Sequence, residues 1–418
     1  MTDLILTINA GSSSIKFALF ALADASRALR PLYRAAIETI EGGTGLTVKQ
    51  DEIVQSDIAS DKNETMDVDS YEAALGYILN WLDQLASQYS VVAVGHRVVH
   101  GGMHFCQPVK VDISVLAQLR ALVPLAPLHQ PHALRAIEHL LSLRPQLPQI
   151  ACFDTAFHTS MPMTEQLFAL PRELAERGIR RYGFHGLSYE YIASVLPDHL
   201  GERADGRVVV AHLGHGASLC AMQQRRSIAT TMSFTPLDGL PMATRCGAID
   251  AAVVLYLLHE QGMSVDEVSA LLHHQSGLLG VSGISGDMRT LLASDSPEAA
   301  EALALFVQRV QRELGSLAAA LGGLDALVFT GGIGEHAAPV RAAICNAGEW
   351  LGIVLDENAN HTHAGCISTG DSLVSVRVIA TDEEEVIARH TASCLVHPPS
   401  DPFGSGAPGK RQIITKQQ

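Results

Sequence analysis

The sequence predicts an α/β fold made of two similar halves that face each other across a cleft. Short apolar runs typical of buried strands alternate with segments of helical periodicity, which is the pattern of α/β proteins. A strand–glycine turn–strand unit also occurs twice, as LILTINAGSSSIKFALF near the start and as VVVAHLGHGASLCAM in the second half. Two facing hairpins of this kind offer backbone N–H groups that can hold phosphates between two domains.

The predicted elements follow one another in a regular order. The strand-like runs cover residues 4–8, 91–99, 150–153, 208–213, 326–330 and 376–380. Helices are predicted over residues 71–86 and 297–321, the second with Ser296 as N-cap and Gly322 as its stop. The polar stretch 41–69 is predicted to be a loop or an edge hairpin. We expect an N-terminal domain over residues 1–153, a C-terminal domain over 154–382, a last helix over 383–396 that rejoins the first domain, and a disordered tail over 397–418.

Composition and charge limit the classes of function. The 418 residues are 47% hydrophobic and carry a net charge of -15, so nucleic acid or an anionic membrane surface would be repelled. A small anionic substrate remains compatible, because salt screens distant charges from a local basic pocket. The seven cysteines form no CxxC pair, and no run approaches the ~18 apolar residues of a membrane span. Without a basic signal-peptide region, the chain is predicted to be cytoplasmic.

The first candidate for phosphate binding is the turn NAGSSSIK at residues 9–16. Gly11 permits a tight turn, the serines supply hydroxyl and N–H donors, and Lys16 adds a positive charge. It is not a P-loop, because GxxxxGK[ST] is absent from the chain. Taken alone, a solvated hairpin turn explains this segment equally well.

A second glycine turn, TGGIGE at residues 330–335, follows the apolar run ALVF. One interpretation is a turn that receives the adenosine end of ATP. The other is a dinucleotide fingerprint GxGxxA formed by Gly332, Gly334 and Ala337, with Asp356 for the ribose. The location three-quarters of the way along the chain favours the first interpretation, since such fingerprints usually open a βαβ domain.

Three arginines, Arg97, Arg181 and Arg245, stand in short glycine-flanked segments. An arginine beside glycines is poorly placed for packing but can hold a carboxylate or a phosphate with its planar fork. A single arginine of this kind is more often part of a surface ion pair, whereas three in one chain favour an anion site.

Acidic and histidine residues supply the remaining candidates. Asp154 follows a strand, and one carboxylate of the run 382–385 could hold Mg²⁺. Two histidine pairs lack a carboxylate or thiol at metal spacing, so transition-metal catalysis is excluded. These pairs are His96 with His100 and His212 with His215.

Ten segments in the same order give the chain a resemblance to the acetate kinase family, which includes propionate and butyrate kinases. They are NAGSSSIKF, GHRVVHGG, APLHQPH, FDTAFHTSMP, RRYGFHG, HLGHGAS, SFTPLDGLPMATRCG, SGDMR, TGGIGEH and TDEEEVIAR. The resemblance extends to about residue 390. It implies the two-domain fold shared by acetate and sugar kinases, Hsp70 and actin, with duplicated βββαβαβα cores around an interdomain nucleotide cleft. It also implies ATP as co-substrate, Mg²⁺ or Mn²⁺ as cofactor, and a homodimer.

The resemblance implies a role for each matching residue. Asn9 and Glu383 would organise Mg²⁺, and Lys16 with Ser12 and Ser14 would contact the transferred phosphate. The implied nucleotide residues are His212, Leu213, Gly214, His215, Gly216, Asp287, Met288, Arg289, Gly331, Gly332, Ile333, Gly334 and Glu335. The implied catalytic residues are Arg97 as carboxylate anchor, Arg245 and His185 as stabilisers of the phosphoryl group, Asp154 as catalytic aspartate, and His129. The implied pocket for the acid's methyl group consists of Val99, Leu128, Phe184 and Pro236.

Three positions depart from the family pattern. HLGNG reads HLGHG with His215, LHNP reads LHQP with Gln130, and GTRxGD reads ATRCGA, which removes a carboxylate at Ala248. The sequence still predicts reversible, ATP-dependent phosphorylation of acetate to acetyl phosphate by direct in-line transfer. Propionate or another short acid is the alternative substrate, because one methylene is worth only ~1–3 kcal/mol of discrimination. A non-catalytic nucleotide-dependent switch of the same fold is the alternative from another class.

Overall fold

The structure, a computed structural model, describes residues 2–11, 14–22, 29–39, 45–51, 65–67, 71–84 and 88–397. Among them, no helix is both long and apolar enough to cross a membrane. The predicted disordered tail lies, apart from residue 397, outside the described residues, as does Ser12.

The first half of the chain forms an eight-stranded sheet. Its strands are β1 (Thr2–Ala10), β2 (Ser14–Leu22), β3 (Leu29–Thr39), β4 (Gly45–Asp51), β5 (Thr65–Asp67), β6 (Tyr89–Val98), β7 (Val109–Lys110) and β8 (Gln149–Phe153), in the order β5-β4-β3-β2-β1-β6-β8-β7. Helices α1 (Tyr71–Gln84), α2 (Ile113–Ala121) and α3 (Gln130–Leu143) belong to this half. β1 is antiparallel to β2 and parallel to β6, which is parallel to β8.

The second half forms a five-stranded sheet of the same design. Its strands are β9 (Arg207–Leu213), β10 (Ala217–Gln223), β11 (Arg226–Thr230), β12 (Ala326–Thr330) and β13 (Ser375–Val378), in the order β11-β10-β9-β12-β13. Five strands of the first sheet, β3-β2-β1-β6-β8, repeat this order with the same relative directions. The predicted duplication of an α/β core is confirmed.

The remaining elements are helices. They are α4 (Met163–Gln166), α5 (Arg172–Glu176), α6 (Gly186–Leu200), α7 (Ala251–His259), α8 (Val265–His274), α9 (Gly277–Ser282), α10 (Met288–Leu292), α11 (Pro297–Leu321), α12 (Gly331–His336), α13 (Ala338–Asn346), α14 (Glu357–His361) and α15 (Glu383–Val396). Helix α11 has the predicted bounds: the Ser296 side chain accepts from the Glu298 N–H, and Gly322 ends the helix at a φ of 71°. The predicted edge hairpin is confirmed as β4 and β5, which pair antiparallel at the sheet edge, with residues 52–64 outside the described part.

Two helices cover the facing sides of the two sheets and explain why their strands are apolar on both faces. On β1, Leu4 and Leu6 pack in the core beneath α1 and α3, whereas Ile5 packs against α15 from the other side. Helix α6 packs on the second sheet, and it also contacts α15 and strand β8 of the first sheet. The predicted domain limits at 153 and 382, including the return of the last helix, stay a prediction.

The crossing of α15 over the first sheet also sets the position of the site. The helix contacts β1, β6 and β8, and its first residue is Glu383. Acidic side chains in a first helical turn interact favourably with the positive end of the helix dipole. A run of four acidic residues at positions 382–385 therefore has a structural reason, and it brings Glu383 to the end of β1.

Candidate active site

The first glycine turn joins β1 to β2 and carries two of the predicted residues. Asn9 and Lys16 are direct partners across the antiparallel pair, with Asn9 half-buried and Lys16 exposed. The positive charge of Lys16 lowers the pKa of both Glu383 and His212. Its ammonium group therefore lies within electrostatic range of both residues. The predicted roles of Ser12 and of the Ser14 side chain fall outside the described atoms.

Arg97 and Asp154 form the ion pair at the centre of the site. Arg97 lies near the end of β6 and Asp154 directly follows β8, and these strands are parallel neighbours, so both residues reach the same edge of the sheet. Arg97 Nε donates to the two Asp154 carboxylate oxygens at 3.1 and 3.0 Å, and its Nη2 donates at 2.5 Å. Asp154 is only 1% exposed. Burial opposes the charge on Arg97, but the carboxylates of Asp154 and Glu383 outweigh it and raise the arginine's pKa.

Asn9 links this ion pair to Glu383. Its carbonyl oxygen accepts from Arg97 Nη1 at 3.2 Å, and its amide nitrogen donates to Glu383 Oε2 at 3.3 Å. Desolvation, reinforced by the charges of Asp154 and Glu384 and opposed by Arg97, raises the pKa of Glu383 to about 7. Asp154 is thus bonded directly to the Arg97 guanidinium, whereas Glu383 accepts from the neutral amide of Asn9 and meets the charges of Arg97 and Lys16 only at longer range.

His185 and His212 extend the site toward the second sheet. Their rings stack with centroids 4.3 Å apart, and their Nδ1 atoms are hydrogen-bonded at 2.8 Å to Ser218 Oγ and Ser188 Oγ respectively. Burial lowers the pKa of both histidines, to about 4 for His212, and nearby arginine charge adds to this. Both rings are therefore neutral near pH 7 and can act as hydrogen-bonding groups rather than as charges.

Arg245 approaches the same point from the second half of the chain. A Cβ built on Gly216 would lie 3.2 Å from His185 Nε2 and 3.7 Å from Arg245 Nη1, so the predicted glycine, histidine and arginine meet. Arg245 Nη1 donates to the Pro236 carbonyl oxygen at 3.0 Å, and Arg245 forms no ion pair with any residue in the described ranges. Burial and the charge of Arg97 lower its pKa. Ala248, where the family pattern has a carboxylate, is exposed.

The charges of Arg97 and Arg245 both act on His129. Burial, followed by the charges of Arg245 and Arg97, lowers the pKa of His129 to about 3. The neighbouring Gln130, one of the departures from the family pattern, is fully buried and forms two hydrogen bonds of 3.1 Å with the His100 backbone. Gln130 therefore ties the loop that carries His129 to the chain that follows β6.

The predicted acid pocket is brought together in part. Val99 and Phe184 are 3% and 1% exposed and belong to one core cluster. Pro236 is buried beside Arg245, which bonds its carbonyl. Leu128 is 36% exposed and immediately precedes His129. Three apolar residues are thus buried near the arginines, while Leu128 lies at the surface.

The predicted nucleotide residues surround a cavity of about 420 Å³. Seven of them line it directly: Gly214, His215, Asp287, Met288, Arg289, Gly332 and Ile333. A Cβ built on Gly214 would lie 3.9 Å from the Gly332 nitrogen, so the β9–β10 turn and the start of α12 form adjoining walls. The volume lies within the ~300–1,000 Å³ of small-molecule sites.

Other predicted nucleotide residues do not line the cavity but stabilise the backbone that forms its wall. Gly331 has a φ of 77°, and a side chain there would meet the Leu213 carbonyl oxygen at 2.8 Å. The Glu335 carboxylate accepts from the Gly331 N–H at 2.9 Å, so it stabilises the turn. A Cβ on Gly334 would touch Phe329 and Ala211, which gives this glycine a helix–sheet packing role. The dinucleotide alternative is weakened, because Asp356 caps α14 by accepting from the Ala359 N–H at 2.9 Å.

Two charged residues at the cavity are paired with each other. The Asp287 carboxylate accepts from the Arg289 and Thr290 N–H groups and from the Arg289 guanidinium, whose Nη2 is 2.9 Å away. These hydrogen bonds, with that of the Arg289 side chain as the largest contribution, lower the pKa of Asp287 to about 2. The Arg289 side chain is 92% exposed and can reorient toward a bound anion.

Sequence reasoning missed several residues of the cavity. Leu292 and Pro339 lie outside every recognised segment, Gly286 and His336 lie within SGDMR and TGGIGEH but have no predicted role, and Ala337 appears only in the dinucleotide alternative. Leu292 and Pro339 each follow a recognised segment by three positions, so extending the SGDMR and TGGIGEH motifs would have found them. His215 is solvent-exposed, yet partial desolvation, followed by the charge of Arg245, lowers its pKa.

The duplicated fold, the glycine-lined cavity and the adjoining arginine–carboxylate cluster define a nucleotide-binding phosphotransferase of the acetate and sugar kinase, Hsp70 and actin fold. The sequence profile of the Acetokinase family matches residues 4–389. An acetate kinase of Rhodopseudomonas palustris is 57% identical over 397 residues, covering 93% of this chain and 98% of that protein. The chain belongs to the acetokinase family.

Solved structures of family members have the same fold as this chain. A propionate kinase from Francisella tularensis has a TM-score of 0.84 at 36% identity, covering 94% of this chain and 99% of that one. The acetate kinase of Porphyromonas gingivalis has a TM-score of 0.80 at 34% identity, covering 94% of this chain and 100% of that one. The predicted family and fold are confirmed.

Proposed function

We propose that this chain transfers the γ-phosphoryl group of ATP to acetate, giving acetyl phosphate and ADP in a reversible reaction. The observation that carries the proposal is the meeting of Arg97, Arg245 and His185 between a buried apolar wall and a glycine-lined cavity. An acetate carboxylate and a γ-phosphate repel each other, so a site that joins them needs fixed positive charge. A pure nucleotide switch has no need for it.

The reaction requires positioning more than acid–base chemistry. The acetate carboxylate is already ionised near pH 7, so one of its oxygens attacks the γ-phosphorus while the bond to the ADP oxygen breaks. Arg97 holds the carboxylate and Val99, Phe184 and Pro236 receive its methyl group. Arg245 and the neutral His185 ring donate to the phosphoryl oxygens, where negative charge concentrates in the transition state.

The residues at the end of β1 fit a magnesium ion. Asn9 and Glu383 offer an amide oxygen and a carboxylate, the hard oxygen ligands that Mg²⁺ prefers. No group of three or more His, Cys, Asp or Glu side chains in the described ranges is placed to hold a metal ion. This fits Mg²⁺, which usually keeps several waters and binds through one or two carboxylates and the substrate phosphates. When bound, the ion neutralises phosphate charge; Mn²⁺ has similar ligand preferences.

Replacing Glu383 by glutamine should increase the magnesium concentration required for half-maximal activity by tenfold or more. The amide keeps the shape of the side chain but removes the charge that holds the ion. A magnesium titration of acyl phosphate formation measures this, with Glu384→Gln as the matched control on the same helical turn. Equal magnesium requirements in both variants would rule out Glu383 as a ligand.

Asp154 is proposed to orient Arg97 and not to remove a proton. Asp154→Asn should lower kcat by about 10²-fold while changing the acetate KM much less, because small misplacements of a positioned group cost rate more than binding. Steady-state kinetics with acetate and ATP varied separately measure both constants. Equal losses in kcat and in acetate affinity would contradict the positioning role.

The function itself is tested by trapping acyl phosphate as hydroxamate from ATP, Mg²⁺ and a series of formate, acetate, propionate and butyrate. A maximum with acetate supports the proposal. A maximum with propionate would favour the alternative that the similarity to a propionate kinase raises. ATP hydrolysis without hydroxamate from any acid would favour the nucleotide switch.

The charge of the chain and its family support a proposal for its location, oligomeric state and partners. We propose a cytoplasmic homodimer that acts on ATP or ADP and a small acid, without nucleic acid or membrane partners. Its net charge of -15 disfavours polyanionic surfaces. Sedimentation of the purified protein gives the oligomeric state.

A further inference from the structure

The third glycine-flanked arginine of the sequence, Arg181, lies outside the active site. Together with Arg180 it lines a separate cavity of about 210 Å³. The other walls come from the chain after β6, from the segment that follows Asp154, and from α4; among them are Met103, Cys106 and Thr155.

The loop that carries the two arginines is held in shape from both ends. Gly178 and Gly183 bracket it with φ values of 90° and 82°, which side chains rarely adopt. The Tyr182 hydroxyl donates to the Gly178 carbonyl at 2.8 Å, and the Arg181 N–H donates to the Gln166 carbonyl at 2.8 Å across the cavity. The Arg181 guanidinium also lies over the Phe168 ring, 5.6 Å from its centroid. The cavity is therefore formed before any ligand enters.

Arg180 and Arg181 are both half-buried, and no acidic side chain in the described part of the chain forms an ion pair with either of them. None of the ten residues that line the cavity is acidic. Glu313 interacts with Arg181 only through its longer-range charge. Guanidinium forks commonly bind carboxylates or phosphates, so two adjacent arginines at one cavity without an ion pair leave both forks available to an anion.

The remaining polar groups indicate the kind of ligand. Thr155 Oγ1 accepts from the Gly101 N–H at 3.0 Å, so its own proton is available for donation into the cavity. The His158 ring nitrogens are both engaged, with Ser227 Oγ and the Phe184 carbonyl at 2.8 Å, and burial lowers the pKa of this histidine to about 4, so it adds no charge. A volume of 210 Å³ equals roughly seven water molecules, enough for a small oxyanion with part of its hydration shell but not for a nucleotide.

We propose that this cavity is a second anion site, which binds a small oxyanion such as inorganic phosphate between Arg180, Arg181 and the Thr155 hydroxyl. It is separate from the catalytic cluster but shares its framework. Thr155 directly follows Asp154, and His158 bonds the backbone of Phe184 in the acid pocket. The proposal does not depend on which reaction the active site performs.

Cys106 provides a local probe, because it is exposed and lines the cavity. The rate of its alkylation by iodoacetamide, followed by peptide mass spectrometry, should fall roughly tenfold at a phosphate concentration ten times the dissociation constant. Arg180→Gln with Arg181→Gln should remove this protection. Arg177→Gln, an exposed arginine of the same segment that does not line the cavity, should retain it. Alkylation of Cys366 should not respond to phosphate in any of these proteins.

Potassium chloride at equal ionic strength serves as the screening control. Protection by chloride equal to that by phosphate would overturn the proposal, as would no protection of Cys106 in the unmodified protein. Protection by malonate as strong as by phosphate would support the oxyanion class and assign a carboxylate ligand. Arg245→Gln separates this cavity from the active site. The variant should leave the protection of Cys106 by phosphate unchanged, and isothermal titration with phosphate should still show binding. If the double variant fails to fold, Arg180→Gln alone should weaken the protection at a fixed phosphate concentration.

Discussion

Arg97→Ala should abolish acyl phosphate formation and destabilise the protein at the same time. Arg97 is the only cation bonded to the buried carboxylate of Asp154 among the described residues, and it also bonds Asn9. Removing one partner of a buried ion pair leaves the other charge uncompensated, which costs about 3–5 kcal/mol. The acetate anchor is lost as well, so we expect kcat/KM to fall by at least 10³-fold.

Hydroxamate kinetics and chemical denaturation measure the two effects separately. Arg97→Lys is the matched variant, because it keeps the charge but loses the planar fork that bonds both Asp154 oxygens. We expect it to recover most of the stability and little of the activity. A stable Arg97→Ala protein would show that Asp154 does not depend on Arg97 for its charge compensation.

A compensating double variant tests the same ion pair further. Arg97→Ala combined with Asp154→Asn should be more stable than Arg97→Ala alone, because the second change removes the unpaired buried charge. The double variant should stay inactive. This separation of stability from activity distinguishes an ion pair that organises the site from a contact that merely holds two strands together.

Much of the fold could be predicted because the signals are local. Ser296, Pro297 and Gly322 specify the ends of α11 by capping and by backbone conformation, and the structure has those bounds. The apolar runs of the central strands predicted burial on both faces, which α1, α3 and α15 provide on the first sheet. The duplication of the core was predicted from the repeated hairpin, and its βββαβαβα sequence of elements from the family resemblance.

The parts of the site that could not be predicted depend on where distant loops meet. Arg97, Arg181 and Arg245 have similar local sequences, yet only two of them reach the catalytic cluster. The difference lies in the path of the 178–183 loop, whose ends bond Ser233 and Gln166 far away in sequence.

Arg245→Ala should be as inactive as Arg97→Ala but nearly as stable as the unmodified protein. Arg245 forms no ion pair in the described part of the chain, and its lowered pKa shows that burial and Arg97 disfavour its charge. The folded protein therefore gains nothing from this charge in the absence of substrate, so replacing Arg245 should lower the free energy of unfolding by no more than the roughly 1 kcal/mol of its hydrogen bond to Pro236. Arginines that stabilise a transferring phosphoryl group are worth ~10³–10⁵ in kcat, so we expect a loss in that range.

The comparison of the two arginine variants decides between a catalytic and a structural role for Arg245. Its bond to the Pro236 carbonyl is a single backbone contact of 3.0 Å, which contributes about 1 kcal/mol at most to stability. If Arg245→Ala lost several kcal/mol, as expected for Arg97→Ala, then Arg245 would hold the loop and its effect on rate would be indirect. If ATP raised the unfolding midpoint of Arg245→Ala as much as that of the unmodified protein, Arg245 would make no contact with the phosphates of bound ATP. A kcat loss with unchanged denaturation identifies a charge that the protein maintains at a cost, because only the anionic transition state makes use of it.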